Sequence, residues 1–358
     1  MLKIRSDPAT WPGGVPEFED GAIIATDDYY VERMEDGRDE LHFTVQVDDP
    51  AYLAIAEETR IIETTENQTY VVKTIDAGSK TAEIGCQLDL SAWQSEMYIG
   101  YNSGSKTCAA IIHSICPGGW TVTGGDGATK KRTLEMDGPT PLDIIRDAMD
   151  VFGCRVRFDN YTRTAEIIIP ENVSRGTAYA VDSVNLRESN FKGKSTDLYT
   201  RLYPIGKDGL QIGSINGGKP YVENLSYTKD TISKVWVDER YTDAQSLMAD
   251  AQDRVNAAAR PVRSWELDVV DLYQLDAATW NELKMAMFDV LLLIDPRKKQ
   301  QHLVQIKQQR VYPHRPEKNK IYVSTTAGSV QKSIRRIVRE LTDANSTFYQ
   351  RLKAAKKE

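Results

Sequence analysis

The sequence predicts an α+β protein that is mostly β and built of several domains, and three observations predict it. Its 358 residues exceed what one core fills, because single cores stop growing near ~250–300 residues. Apolar and polar residues alternate with period two along much of the chain, the pattern of strands with one buried face. Apolar residues at helical spacing are confined to a few separate stretches. Hydrophobic residues make up 41% and charged residues 27%, close to the average of soluble globular domains, so real cores can be buried.

Residues 1–95 predict a first barrel-like domain. In ELHFTVQVDD, Leu41, Phe43, Val45 and Val47 alternate with His42, Thr44, Gln46 and Asp48, as in a half-buried strand. TYVVKTIDAG and KTAEIGCQLDL continue the sheet, with polar turns at Asp36-Gly37 and Ala77-Gly78. Residues 96–182 predict a small α+β domain. Thr140 caps a helix there, Pro141 suits its first position, Leu142, Ile145, Met149 and Phe152 form its apolar stripe, and Gly153 stops it. CRVRFD and TAEIIIP follow as strands joined by a turn near Asn160.

The stretch TRLYPIGKDGLQIGSINGGKPYVENLSY, residues 200–227, predicts a three-stranded meander with tight turns at Lys207-Asp208-Gly209 and Asn216-Gly217-Gly218. A helix follows, capped by Thr242, with Leu247, Ala251 and Val255 on one face and Pro261 at its end. Residues 207–261 thus predict an inserted meander-plus-helix domain. It interrupts a second barrel-like domain formed by residues 183–206 and 262–328. There SWELDVVDL alternates with period two, DAATWNELKMAMFDVLLLID predicts a short helix over Trp280, Leu283 and Met287 and then a strand, and HLVQIKQQRVY and NKIYVST complete the sheet. Residues 329–358 predict a basic amphipathic helix. Val330, Ile334, Ile337, Val338 and Leu341 form its stripe, opposite Lys332, Arg335, Arg336 and Arg339. The stripe is too short for a coiled coil and suits a helix docked on its own domain, or alternatively one that binds a partner.

Charge and motifs exclude much chemistry. A net charge of -7 argues against a general nucleic-acid binder, and the acidic stretch Glu17–Asp49 contrasts with the basic tail. No apolar run has the ~18 residues of a membrane span, and MLKIRSDPATWPGG lacks a secretory core, which predicts synthesis in a cytoplasm. Cys86, Cys108, Cys116 and Cys154 lack CxxC spacing and suit reduced, buried thiols. His42, His113, His302 and His314 are scattered, without a zinc-binding pair. GGDGATKK, from Gly124 to Lys131, has Thr129 where a phosphate loop needs its second Gly. No GxSxG elbow exists, and Cys116-Pro117 shows no cysteine-protease signature. Asp27, Asp28, Glu35, Asp36 and Asp39 can be imagined as a glycosidase pair or calcium loop, but lack the calcium order and suit a solvated sheet edge. No residue is assigned a catalytic, cofactor-binding or metal-ligating role, and no cofactor is expected.

The order of elements resembles the hub proteins at the tip of bacteriophage tails: the N-terminal structural region of siphophage tail-associated lysins (the prophage tail endopeptidase family), similar in fold to the baseplate hub of T4-like contractile tails. DELHFTVQVDDPAYLAIAEETRI with TYVVKTID, TPLDIIRDAMDVFGCRVRFD, DLYTRLYPIGKDGLQIGSINGGKPYVEN and WELDVVDL carry the likeness over most of residues 20–271. Farther on, Met287-Phe288-Asp289 stands where these proteins usually have a Gly-Asp pair.

The resemblance implies a multi-domain hub fold with two barrel-like tube domains and smaller α/β inserts. It also implies a homotrimer whose pseudo-hexameric ring closes the tail tube and connects it to the host-recognition apparatus, with the meander in an intersubunit clip. The implied partners are further copies of itself, a distal tail protein ring, the tape measure protein and receptor-binding or tail fibre proteins. Phage DNA would pass the channel without specific binding, and an acidic wall would keep it from sticking. The implied place is the virion tail tip and the implied role is not enzymatic. Longer relatives carry a peptidase or host-binding module in a C-terminal extension, whereas this sequence stops at Glu358, so no catalytic residue is carried over. The alternatives are a tail-associated cell-wall hydrolase, peptidase or glycosidase, and a host carbohydrate-binding tail protein using Trp93, Tyr98 and Trp120 as stacking platforms.

Overall fold

The alternation around Leu41, Phe43 and Val45 becomes a strand with those three side chains buried and with Thr44 and Gln46 exposed. The computed structural model describes residues 1–5, 23–24, 26, 28–126, 129–169, 178–181, 185–280, 284–295 and 300–325. Asp27, much of the acidic stretch before it and the helix expected over 329–358 lie outside the described residues. The protein is mostly β with several sheets, as the sequence predicts. Among the described residues no helix is long and apolar enough to cross a membrane.

Seven strands make the first lobe: β1 (Leu2–Arg5), β2 (Ile23–Ile24), β3 (Tyr29–Met34), β4 (Asp39–Gln46), β5 (Arg60–Glu63), β6 (Gln68–Ala77) and β7 (Thr81–Leu88). They pair antiparallel in the order β3-β4-β7-β6-β5-β1-β2. Gly37 turns β3 into β4 with φ +85°, which an L side chain rarely adopts. The helix Pro141–Phe152 has the expected capping: Thr140 and Asp143 form a reciprocal box, and Gly153 closes it with φ +67°. Its buried Leu142, Ile145 and Met149 belong to the same core as the first lobe, which continues through Trp93, the helix Cys108–Ser114 and the strands Arg155–Asp159 and Thr164–Ile168. The boundary drawn at residue 95 therefore divides the chain but not the core.

A second lobe has a separate core around Leu267, Leu291, Val304 and Ile306. Its strands run in the order Leu186–Lys194, Val262–Val269, Lys320–Thr325, Gln300–Val311, Val290–Asp295 and Ala178–Val181. Ala178–Val181 lies parallel to Val290–Asp295, so it joins this lobe and not the α+β part to which the sequence assigned it.

The insert departs from the predicted meander. Arg201–Ile205 pairs antiparallel with Val222–Glu223 and parallel with Ser233–Val237. Between them, residues 211–220 form turns and irregular chain. Ile212 there is buried in the insert's core, and Gly217 and Gly218 take positive φ. Both edges of the central strand are occupied by other segments, so nearness in sequence did not become pairing. Arg201–Ile205 also packs in the insert's core, Leu202 lying with Leu247, Ala251 and Val255, although the sequence placed it in the second barrel.

Two helix predictions shift. The helix Ala244–Ala258 is capped by Asp243, one residue past Thr242, whose carboxylate accepts from the Ser246 amide at 2.8 Å. The short helix lies at Leu272–Leu275, where Asp271 accepts from the Gln274 amide at 3.1 Å. Met285, Met287 and Phe288 sit in irregular chain whose apolar spacing reflects burial in the second core; Leu283 lies outside the described residues.

Candidate functional site: the seam between two sheet lobes

The lobes are joined by one strand. Gln300–Val311 pairs with Val290–Asp295 along its first half, and then from Gln308 to Val311 with Met34 to Val31 of β3. Its other edge follows Lys320–Thr325, with a register shift between Ile306 and Gln308. Such a bulge re-aims a side chain. It falls where the strand passes from one lobe to the other, and Lys307 there donates to Glu35 at 2.6 Å.

Glu35 also accepts from Arg155 at 2.9 Å, so this carboxylate ties β3, the long strand and the α+β part together. Burial opposes its charge, but the hydrogen bonds and positive charges of Lys307 and Arg155 outweigh that and hold its pKa below the ordinary carboxylate value. Glu32 is 6% exposed and accepts from Gln308 at 2.8 Å and from Arg310 at 2.9 Å. Asp28 accepts from Lys318 at 2.9 Å. At the far end the Met1 ammonium donates to Tyr29 Oη at 2.9 Å and lies 2.9 Å from His314 Nε2, while Tyr29 donates to the buried Glu63 at 2.6 Å. Four of the carboxylates imagined as a catalytic pair or calcium loop, Asp28, Glu35, Asp36 and Asp39, thus serve as partners of cations; Asp39 accepts from Arg33 at 3.0 Å and from Tyr70 at 2.9 Å. Asp36 binds the exposed Arg38 at 2.7 Å.

The other tempting residues are also accounted for. His42 stacks on Tyr30 with ring centroids 4.9 Å apart, His302 packs on Trp265 at 5.0 Å, and His113 is exposed. Cys116 Sγ donates to the Trp120 carbonyl at 3.4 Å. Cys86, Cys108 and Cys154 are buried and all four thiols are free. Gly124 continues a strand, and a Cβ there would collide with the Ile167 carbonyl, so close strand packing explains this glycine. Lys130 is occupied by Asp250 at 3.0 Å and Asp253 at 2.6 Å. Trp93 is fully buried against Trp120 and Phe158, which removes it from any carbohydrate platform. Among the described residues no group of three or more His, Cys, Asp or Glu is placed to hold a metal ion.

A second ionic anchor fastens the insert. Asp250, on the helix Ala244–Ala258, accepts from Arg132 and Tyr241 as well as Lys130. Burial opposes its charge, yet these three donors hold its pKa low, and the Tyr241 phenol is pushed up to about 12, chiefly by burial. Sequence reading missed both anchors. β3 carried a signal, since Tyr29 and Val31 are buried in alternation, but Glu32, next after Val31, breaks the alternation by being buried too.

Residues 176–337 match the family described as Prophage endopeptidase tail. The match includes residues beyond 271, where the quoted sequence likenesses end. The fold is similar to the crystal structure of prophage tail protein gp18 from Listeria monocytogenes EGD-e, at 15% identity and TM-score 0.65, over 94% of this chain and 98% of that one. It is also similar to a 43 kDa tail protein of prophage MuSo2 from Shewanella oneidensis, at 12% identity and TM-score 0.59 over 84% of this chain and 93% of that one. A tail protein from Neisseria meningitidis MC58 is similar at 9% identity and TM-score 0.58, over 83% and 90%. No curated protein matches the chain. The family match over residues 176–337 and the likeness in fold to prophage tail proteins agree with the resemblance read from the sequence.

Proposed function

We propose that the protein is the hub at the distal end of a phage tail. In this reading three copies form a pseudo-hexameric ring that closes the tail tube, connects it to the host-recognition apparatus and leaves a channel for tape measure and DNA. The observation that supports the reading is the continuous sheet of two lobes, each with its own core, joined through Gln300–Val311. Two linked lobes per chain are what a threefold ring needs to meet sixfold tail rings, and a shared strand keeps their spacing fixed. Among the described residues the outer strands Leu186–Lys194 and β2 pair on one side only. At one end every residue from Arg187 to Lys194 is exposed, and at the other Ile23 of β2 is exposed. Long open edges invite another chain, and further copies would cover them.

Distal tail, tape measure and receptor-binding or fibre proteins are the neighbours in this reading. The virion tail tip is its place, with roles in host attachment and DNA ejection that require no catalytic residue, cofactor or metal. Light scattering and negative-stain imaging of purified protein and of virions test it. The expected result is rings of three copies with a sixfold outline at the tail apex. Virions without the chain at the apex, or with another copy number there, overturn it, as does peptidoglycan lysis lost on His113→Ala or Cys116→Ala.

A further inference from the structure

Two of the four thiols meet inside the first core. Cys108 and Cys154 are 46 residues apart in the chain, both are fully buried, and their sulfurs lie 2.9 Å from each other. An S–S bond is ~2.05 Å long, so about 1 Å of approach separates the pair from a covalent link. Each cysteine sits at the end of a fixed element. Cys108 opens the helix Cys108–Ser114, whose cap Thr107 accepts from the Ala110 amide at 3.3 Å. Cys154 follows Gly153, the left-handed stop of the helix Pro141–Phe152, and its sulfur lies 3.7 Å from the Ala148 carbonyl. The sulfurs face each other because two helix ends are packed together. Cys116, by contrast, is only half-buried and donates to the Trp120 carbonyl.

We propose that Cys108 and Cys154 are a redox pair that a peroxide closes into a disulfide without rebuilding the fold. Cys154 is the attacking sulfur. The Cys108 thiol donates to it and Arg155 adds positive charge, which holds the Cys154 pKa below the ordinary thiol value; the same hydrogen bond, together with burial, pushes Cys108 up. The Cys154 thiolate takes one oxygen from hydrogen peroxide, the O–O bond breaks, and hydroxide leaves and is neutralised by the proton that Cys154 gave up. The product is a sulfenic acid, which condenses with a neighbouring thiol. The Cys108 sulfur then bonds to Cys154, and the displaced oxygen leaves as water with the Cys108 proton. Two thiols and one peroxide thus become one disulfide and two waters, the two electrons lost by sulfur reducing the peroxide. Peroxide is neutral and close to water in size, and the exposed Gly153 beside Cys154 is its nearest approach from solvent. The bond closes a loop that contains Lys130 and Arg132, the cations that hold Asp250 of the insert, and it restricts the unfolded chain across that loop. Reducing surroundings keep such a pair open and oxidising ones close it, so a chain moved from one to the other gains a staple. This inference does not depend on the hub reading.

The test uses the full chain, reduced and then exposed while folded to a small molar excess of hydrogen peroxide. After catalase removes the peroxide, the chain is denatured in N-ethylmaleimide and its mass is measured whole and after digestion. The four cysteines take four adducts in the untreated chain, and two are expected after peroxide, with Cys108 and Cys154 recovered as one linked peptide pair. Dithiothreitol should restore all four adducts. The linked chain should unfold at a higher urea midpoint than the reduced one. Four adducts after peroxide overturn the inference, as do links that join Cys86 or Cys116 as often as the proposed pair. A lower midpoint for the linked chain also overturns it, because the bond would then strain the core. Cys116→Ser, which removes the half-buried thiol, should leave the linking unchanged; loss of linking in that variant would make Cys116 the oxidised group and overturn the inference too.

Discussion

Arg310 holds its guanidinium 2.9 Å from the carboxylate of Glu32 and 4.5 Å over the ring of Tyr30. One side chain of the second lobe's longest strand thereby grips β3 of the first by charge and by stacking. A sheet ladder alone would leave this junction only four residue pairs long.

Glu32→Ala leaves Arg310 and Gln308 without their acceptor. Breaking a fully buried pair costs up to about 3–5 kcal/mol, and because Arg310 keeps some solvent contact about 2–3 kcal/mol is expected here. A lower urea midpoint with an unchanged slope is the readout. The exposed Lys194–Asp197 pair is the control, and Asp197→Ala should leave the midpoint where it is.

Asp250→Asn removes the charge facing the buried Arg132, at an expected cost of about 3 kcal/mol. The loss should be local. Hydrogen exchange is expected to speed up across residues 201–258 while β4 and β7 stay protected. Uniform loss of protection would show that the insert is not a separable unit.

Acid should act on both anchors. Glu35 and Asp250 have folded pKa values below the ordinary 4.5 and 3.8, so the unfolded chain binds more protons than the folded one as pH falls. Their stabilisation is complete above the ordinary values and is lost as pH drops through the lowered ones. Stability should thus be flat from neutrality down to about pH 5 as far as these groups contribute, and decline below pH 4. Glu35→Gln together with Asp250→Asn should flatten that decline in a pH series of urea melts.

Phe288 has φ +69° and is 4% exposed. The left-handed backbone costs a non-glycine residue about 1–2 kcal/mol, and truncating a buried Phe costs about 3–5 kcal/mol, so packing wins and both Phe288→Gly and Phe288→Ala should destabilise. Their order is the sharper outcome. Glycine relieves the backbone, so Phe288→Gly should be the milder by about 1 kcal/mol. The opposite order would mean that the turn relaxes on truncation. Asp289 accepts from the Ala286 amide at 2.8 Å, which closes the turn around Phe288 while its side chain fills the core.

Local features were legible in the sequence. The strand around Leu41, Phe43 and Val45, the helix from Pro141 to Gly153 and the buried face of Leu247, Ala251 and Val255 all emerged as expected, because period, caps and stop residues act between neighbours in the chain. The resemblance to phage tail proteins was legible for the same reason, through spaced stretches of such elements.

What the tertiary structure alone decided is pairing across distance. Nothing in Gln300–Val311 announces that one edge serves two lobes, and nothing in Arg201–Ile205 that its neighbour is Ser233–Val237 and not the next segment. A strand's partner and register are chosen by which faces must be buried against which. The anchors at Glu32, Glu35 and Asp250 follow from that choice, since a carboxylate's partners are set by where distant strands and helices bring their cations.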